Sequence, residues 1–374
     1  MSSGYAPVRI GILDDVPRRM RSSAENPSPG IDWMRVGLGL ALEEGLARGR
    51  VDRPFEIVER AAEGLPVGTA AGVEAAYREL AAAGVLAIIG PAITDNALVT
   101  RPIAEELRLP TMNWSGSERT RGACGFHYQL GSLPDEGPLL ARWLVASSLG
   151  KLAVVRDRSP IADEYFEYFA RAAGVADLEI VADVHATLGS DEQAVRGLER
   201  ARRAEPQVLV CFGLGLAAPA IARARRTLGW GVPVATNTAL LRGYTDPKTY
   251  WALFDGWVYV DLVDERNPVQ SDLHRRLTER VGEPPAGPSA ATGYDMGRLL
   301  VEGVAAAPEL TREGVRIGLE RVKGLPAACG GAGTVMGFGP WDHAALKGRD
   351  FLVLRRVTGG ASRPLAADPS GGRS

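Results

Sequence analysis

Cysteine and histidine are scarce in this chain of 374 residues, three and four respectively, and that scarcity removes several kinds of chemistry at the outset. Cys124, Cys211 and Cys329 are an odd number at unrelated spacings, and Cys211 falls inside an apolar run, so no disulfide framework is indicated. Cys124 and His127 have metal-ligand spacing, but His185, His274 and His343 stand alone, so no second pair completes a site and no metal is expected. Long hydrophobic runs are missing too. Gly, Pro or Arg interrupts each apolar patch within a few residues, which argues against membrane insertion. The N-terminus, MSSGYAPVRIGIL, lacks a basic segment followed by an apolar stretch of leader length. As written the chain is therefore expected to be cytoplasmic, and extracytoplasmic only if a leader has been removed or misassigned. Neither sign of charge dominates: 43 Lys+Arg against 45 Asp+Glu leave a net charge of −2 and a pI near 6.2. Nothing in that balance points to nucleic acid or an anionic membrane as a partner. Lysine is nearly absent, with only Lys151, Lys248, Lys323 and Lys347, and this reads as compositional bias toward arginine.

What is present is a regular alternation of apolar runs and amphipathic stretches with short connections. Strands are predicted near 8–13, 55–60, 85–89, 110–112, 152–156, 178–184, 207–212, 233–235, 256–260 and 350–356. Helices are predicted near 31–48, 69–83, 94–108, 135–149, 161–173, 190–204, 216–229, 268–281, 289–306 and 311–321. This order is that of an α/β fold with doubly wound parallel sheets, and the length suits two domains. The aromatic group Tyr165, Phe166, Tyr168 and Phe169 lies on one predicted helix and is expected to be core. Gly213-Leu214-Gly215 lacks the third glycine of a dinucleotide fingerprint and reads as a tight strand-to-helix turn. No cofactor is implied.

The densest information lies between Val73 and Ser117. Val85 to Ile89 is a short apolar run bounded by Gly84 and Gly90-Pro91, suited to a strand covered on both faces. Thr94 and Asp95 then open a helix with N-cap chemistry, and a second strand from Pro110 leads into the small turn Ser115-Gly116-Ser117. Both turns are expected at one carboxyl edge, where open α/β sheets bind ligands. Neither offers a nucleophile with a base, and Ser115-Gly116-Ser117 is no nucleophile elbow, so binding without catalysis is expected. The polar loop Asp14 to Pro29, with Arg18, Arg19 and Arg21, follows the first strand and is a further candidate for ligand contact.

The ordered set AIIGP, a helix, LP and a strand ending in small residues resembles the leucine/isoleucine/valine-binding branch of the type I periplasmic binding proteins, whose pattern is close to IIGP...S...APIAEE...VPLIS.SAT. VRIGIL at 8–13, LAVVRD at 152–157, ARRTLG at 224–229 and Thr292-Gly293-Tyr294-Asp295 follow in the same order as in that family. The resemblance implies two lobes joined by a three-crossover hinge, with residues 1–130 and 262–332 in lobe 1 and 131–261 and 333–358 in lobe 2, while 359–374, Gly, Ser and Pro without periodicity, is expected to be a disordered tail. It also implies a ligand carboxylate held at Thr94 and at Ser115, Gly116 and Ser117, flanked by Asn113 and Trp114, with Tyr294 added from the TGYD motif. The second lobe's aromatic, aromatic and acidic positions fall by spacing on Ile161, Leu214 and Asn237, which have lost the family's polar chemistry. An ammonium without a carboxylate partner is costly to bury. The expected ligand therefore has an acidic or amide end and an apolar or aromatic body. The expected partner is an ABC permease, with a regulatory protein as the alternative if the chain is a cytoplasmic sensor of the amide-sensing type.

Overall fold

The computed structural model describes residues 5–15, 31–65, 67–186, 191–215, 217–239, 251–285, 287–348 and 350–365. The chain forms two compact units, one of Met1–Leu130 and Leu262–Phe351, the other of Gly131–Asp261 and Leu352–Ser374.

The first segment carries strands β1 (Val8–Asp14), β2 (Phe55–Ala61), β3 (Ala87–Ile89), β4 (Thr111–Asn113) and β5 (Gly125–His127), with helices α1 (Trp33–Ala47), α2 (Ala70–Ala82) and α3 (Thr94–Glu106). All five strands are parallel in the order β2-β1-β3-β4-β5. β5 is too short to stand out as an apolar run in the sequence. Thr69 caps α2 by accepting the Gly72 N–H at 3.1 Å. The α2 residues Val73, Ala76, Tyr77 and Leu80 recur at helical spacing and are buried in one cluster with Leu13 and Ile88.

The middle segment carries α4 (Leu133–Ala146), β6 (Lys151–Arg156), α5 (Pro160–Val175), β7 (Glu179–His185), α6 (Asp191–Arg202), β8 (Val208–Phe212), α7 (Ala218–Thr227), β9 (Val234–Thr236) and β10 (Val258–Asp261). β6 to β10 are parallel neighbours in the order β10-β9-β8-β6-β7. On α5, Tyr165 and Phe169 are buried against Phe212, with ring centroids 5.9 and 5.2 Å away. Phe166 and Tyr168 face outward instead, beneath the guanidinium groups of Arg156 and Arg171. Half of the aromatic group is thus core and half is not.

The return segment adds α8 (Pro268–Val281), α9 (Ser289–Ala305), α10 (Arg312–Arg321) and the small antiparallel sheet of β11 (Leu325–Pro326), β12 (Val335–Met336) and β13 (Leu346–Lys347) to the first unit. Residues 333–351 therefore lie in the first unit, not the second as expected. Pairing decides it: β12 lies between β11 and β13, and His127 exchanges backbone bonds of 2.8 Å with His343 and Ala345. β14 (Val353–Thr358) then joins the second sheet antiparallel to β10, and β15 (Ala361–Pro364) pairs antiparallel with β14. The expected tail is thus ordered as far as a strand at 361–364. Gly359 and Gly360, with φ of 58° and 73°, supply the left-handed backbone that a two-residue hairpin turn needs.

α9 is buried on nearly every face and crosses α1 closely. A Cβ on Gly293 would lie 1.9 Å from the Met34 carbonyl oxygen, and one on Gly37 would lie 2.1 Å from that of Ala290. Gly293→Ala is therefore expected to lower stability by about 1–3 kcal/mol, the usual cost of overpacking. Gly39→Ala, with nothing within 4 Å of its Cβ, is expected to raise it by about 1 kcal/mol through helix propensity alone. Urea denaturation of the pair checks the opposite signs.

Candidate functional site

In the first unit, β3 and β4 are parallel neighbours, so the segments after them share one carboxyl edge, and the Trp114 N–H donates to the Pro91 carbonyl at 3.4 Å. Thr94 does not cap α3. The N-cap is Ile93, without a side-chain bond, and the capping anion comes from the end of β1, the strand beside β3. The Asp15 carboxylate, 0% exposed, accepts from the Ala92 N–H at 2.7 Å, the Ile93 N–H at 3.0 Å and Asn96 Nδ2 at 2.8 Å. Burial pushes its carboxyl up to about 6 against those three bonds. Thr94 is 4% exposed, and its hydroxyl bonds to no described residue.

The turn after β4 is braced by its own side chains. Asn113 Oδ1 accepts from the Ser115 hydroxyl at 2.9 Å, while Asn113 Nδ2 donates to the Phe126 carbonyl at 3.2 Å. Ser117 Oγ accepts the Arg119 N–H at 3.2 Å and so caps the short 3-10 turn Glu118–Thr120. His127 Nδ1 accepts from Arg121 Nε at 3.2 Å, which leaves Nε2–H to donate to the Ser115 carbonyl at 2.5 Å. Burial lowers its pKa to about 3, so the ring is neutral. Asn113, Ser115 and Ser117, expected to face a ligand, thus spend these groups on the turn itself. The Gly116 N–H, which has no acceptor among the described residues, and the half-buried Trp114 remain available.

In the second unit, β6, β8 and β9 are neighbours, and the residues after them meet at one edge. Asp157 accepts the Leu214 N–H at 2.8 Å and the Ser159 N–H at 3.1 Å. Its Oδ2 lies 2.1 Å from where a Cβ on Gly213 would be, so that position requires glycine. Asn237 is fully buried; its Oδ1 accepts the Gly213 N–H at 3.3 Å and its Nδ2 donates to the Gly213 carbonyl at 3.0 Å. Ile161, in the first turn of α5, and Leu214 are both buried and apolar. Next to them lies a group that the sequence does not single out. Glu136 on α4 is 0% exposed and accepts the Thr238 N–H at 2.8 Å and the Tyr165 hydroxyl at 3.1 Å. Burial pushes it up to about 7. The Thr238 hydroxyl is buried and makes no hydrogen bond of good geometry among the described residues.

Tyr294 does not belong with these residues. Its hydroxyl donates to Glu44 at 2.9 Å and accepts from Arg276 at 3.3 Å, with Arg276 and Arg298 over its ring, so it serves the α1–α8–α9 interface. One residue on, Asp295 is 0% exposed and accepts from the Tyr128 hydroxyl at 2.9 Å and from the Ala328 and Cys329 N–H groups at 2.8 and 2.9 Å. The loop with Arg18, Arg19 and Arg21 lies outside the described residues. A separate cleft of about 300 Å³, lined by Arg50, Glu302, Arg321 and Lys323, contains none of the residues chosen from the sequence.

The family model described as "Periplasmic binding protein" matches residues 8–347. The chain belongs to that family. This periplasmic binding protein has no match among curated proteins, but many solved structures share its fold. A type 1 periplasmic binding protein from Bordetella pertussis Tohama I is 18% identical, with 96% of this chain and 100% of that one covered and a TM-score of 0.78. A possible leucine/isoleucine/valine-binding protein from Rhodopirellula baltica SH 1 is 18% identical over 98% of each chain, TM-score 0.77. An ABC transporter substrate-binding protein from Desulfitobacterium hafniense, solved in complex with Leu, is 17% identical over 96% of this chain and 100% of that one, TM-score 0.75. Like its family, the protein is a non-catalytic binder of small solutes.

Proposed function

We propose that this periplasmic binding protein captures a small molecule with an apolar or aromatic body and an acidic or amide end, lacking the free ammonium of an α-amino acid, and delivers it to an ABC permease. Asn237 carries the reading. Its amide is spent on both sides of the Gly213 peptide, and the acid beside it, Asp157, is engaged by the Leu214 and Ser159 N–H groups, so among the described residues no uncommitted carboxylate stands there to receive an ammonium. Glu136, the nearby acid, is committed to Thr238 and Tyr165 and holds its proton close to neutrality. In the second unit Ile161 and Leu214 offer apolar side chains; in the first unit Trp114 offers an indole face, and Thr94 and Gly116 offer hydrogen bonds for an oxygen. Relatives solved with or named for branched-chain amino acids are less than a fifth identical, which carries the fold and not the ligand.

A thermal-shift screen of branched and aromatic acids, their amides and the matching α-amino acids tests this. Ligand at about a hundred times its Kd stabilises by about 2.7 kcal/mol, enough to raise the melting temperature by a few degrees. Acids or amides are expected to give that shift, and amino acids little. A larger shift with leucine, valine or phenylalanine than with their deaminated analogues overturns the proposal.

A further inference from the structure

We propose that Asp15 sets ligand specificity in the first unit by excluding ionised carboxylates, so that the ligand's polar end at Thr94 is a carboxamide, an inference that rests on the ligand class proposed above. Asp15 directly follows β1, and the order β2-β1-β3-β4-β5 reverses direction between β1 and β3. That reversal is the switch point at which open α/β sheets take their ligands. The two N–H groups leading into α3, Ala92 and Ile93, are already filled by the Asp15 carboxylate at 2.7 and 3.0 Å, and Asn96 Nδ2 holds the same carboxylate at 2.8 Å. The positive end of the helix thus has a resident anion, fully buried and held by the N–H of Ile93, the residue before Thr94, whose hydroxyl bonds to no described residue. A ligand carboxylate at Thr94 would face a like charge where little water screens it. A carboxamide presents an oxygen to the same hydroxyl without charge, and its N–H groups are complementary in sign to Asp15.

Among the described residues the surrounding charges do not offset this one. Asp14 pairs with Arg35 at 3.7 Å, and Arg35 is also engaged by Asp32 and Glu59. On α3 the half-buried Asp95 adds negative charge, answered by Arg119. Glu63 adds another on the segment whose Leu65 N–H is held by Asn96. Burial already pushes Asp15 up to about 6, so a carboxylate arriving beside it must bring a proton with it.

The probes are 3-phenylpropanamide and 3-phenylpropanoate, titrated calorimetrically at pH 8 into the unmodified protein and into Asp15→Asn. A like charge at close range shifts a carboxyl by one unit or more, about tenfold or more in relative affinity. The amide is expected to bind the unmodified protein at least about tenfold more tightly than the acid, and Asp15→Asn to remove most of that preference. Repeating the acid titration in two buffers of different ionisation heat should show proton uptake in the unmodified protein and none with the amide, a readout independent of how the variant folds. Equal affinities without proton uptake, or an unchanged ratio in a variant that melts cooperatively, overturn the role of Asp15 and leave the ligand class standing. If neither compound binds the unmodified protein, the ligand class fails and this inference fails with it.

Discussion

Asp295→Ala is expected to remove on the order of 4 kcal/mol of stability from the first unit, because it strips the acceptor from several buried donors at once. The buried carboxylate accepts from the Tyr128 hydroxyl and the Ala328 and Cys329 N–H groups, tying α9 to the residues before β12 and to the end of β5. Each buried donor left without an acceptor costs about 1–3 kcal/mol, and three lose theirs together. Asp295→Asn retains one acceptor oxygen and should cost about half as much. Urea denaturation followed by tryptophan fluorescence measures both, and a loss below about 1 kcal/mol for the alanine variant contradicts this role.

Stability is also expected to rise as pH falls from 8 to 5, the reverse of the usual behaviour of paired carboxylates. Asp15, Glu136 and Asp295 have folded-state pKa values raised by burial to about 6, about 7 and about 6, from 3.8, 4.5 and 3.8. Each binds its proton more tightly folded than unfolded, so its contribution is complete below the unfolded value and is lost as pH rises through the folded value. For Glu136 that window is roughly pH 4.5 to 7, and at about 1.4 kcal/mol per unit the change is about 3 kcal/mol. Carboxylates lowered by arginine partners, such as Glu56 and Asp272, pull the other way but are exposed and screened. Glu136→Gln keeps an acceptor for Thr238 or Tyr165 and removes that one titration, so its melting temperature should vary about half as much between pH 5 and 8, the remainder below pH 6 coming from Asp15 and Asp295. A variant with the slope of the unmodified protein, or a melting temperature that climbs steadily from pH 5 to 8, refutes the assignment.

The apolar runs of β1, β6 and β8 and the helical spacing of Val73, Ala76, Tyr77 and Leu80 are legible in the sequence because each is a local pattern. β5 and β11 to β13 are not, since two or three residues carry no period. Positions at the sheet edges are legible as well: Thr94, the 113–117 turn, Ile161, Leu214 and Asn237 all follow parallel strands. Where their side chains point is not. Asp15 reaches Ala92 across 77 residues and Glu136 reaches Thr238 across 102, and no local spacing announces such bonds. Tyr294 departs from expectation for a different reason. On a helix adjacent residues point about 100° apart, and within the Thr-Gly-Tyr-Asp motif Tyr294 faces α1 and α8 while Asp295 faces Tyr128.

Whether the ligand carries an ammonium is settled by one carbon skeleton with three end groups. Leucine, 4-methylpentanoate and 4-methylpentanamide should be titrated by calorimetry into the unmodified protein at pH 7.5. The amide is expected to bind most tightly, the acid next, and leucine at least about tenfold more weakly than the acid, the penalty of about 1.4 kcal/mol or more for an unpaired buried ammonium. Leucine as the tightest of the three would overturn the assignment built on Asn237 and make this an ordinary amino-acid-binding protein.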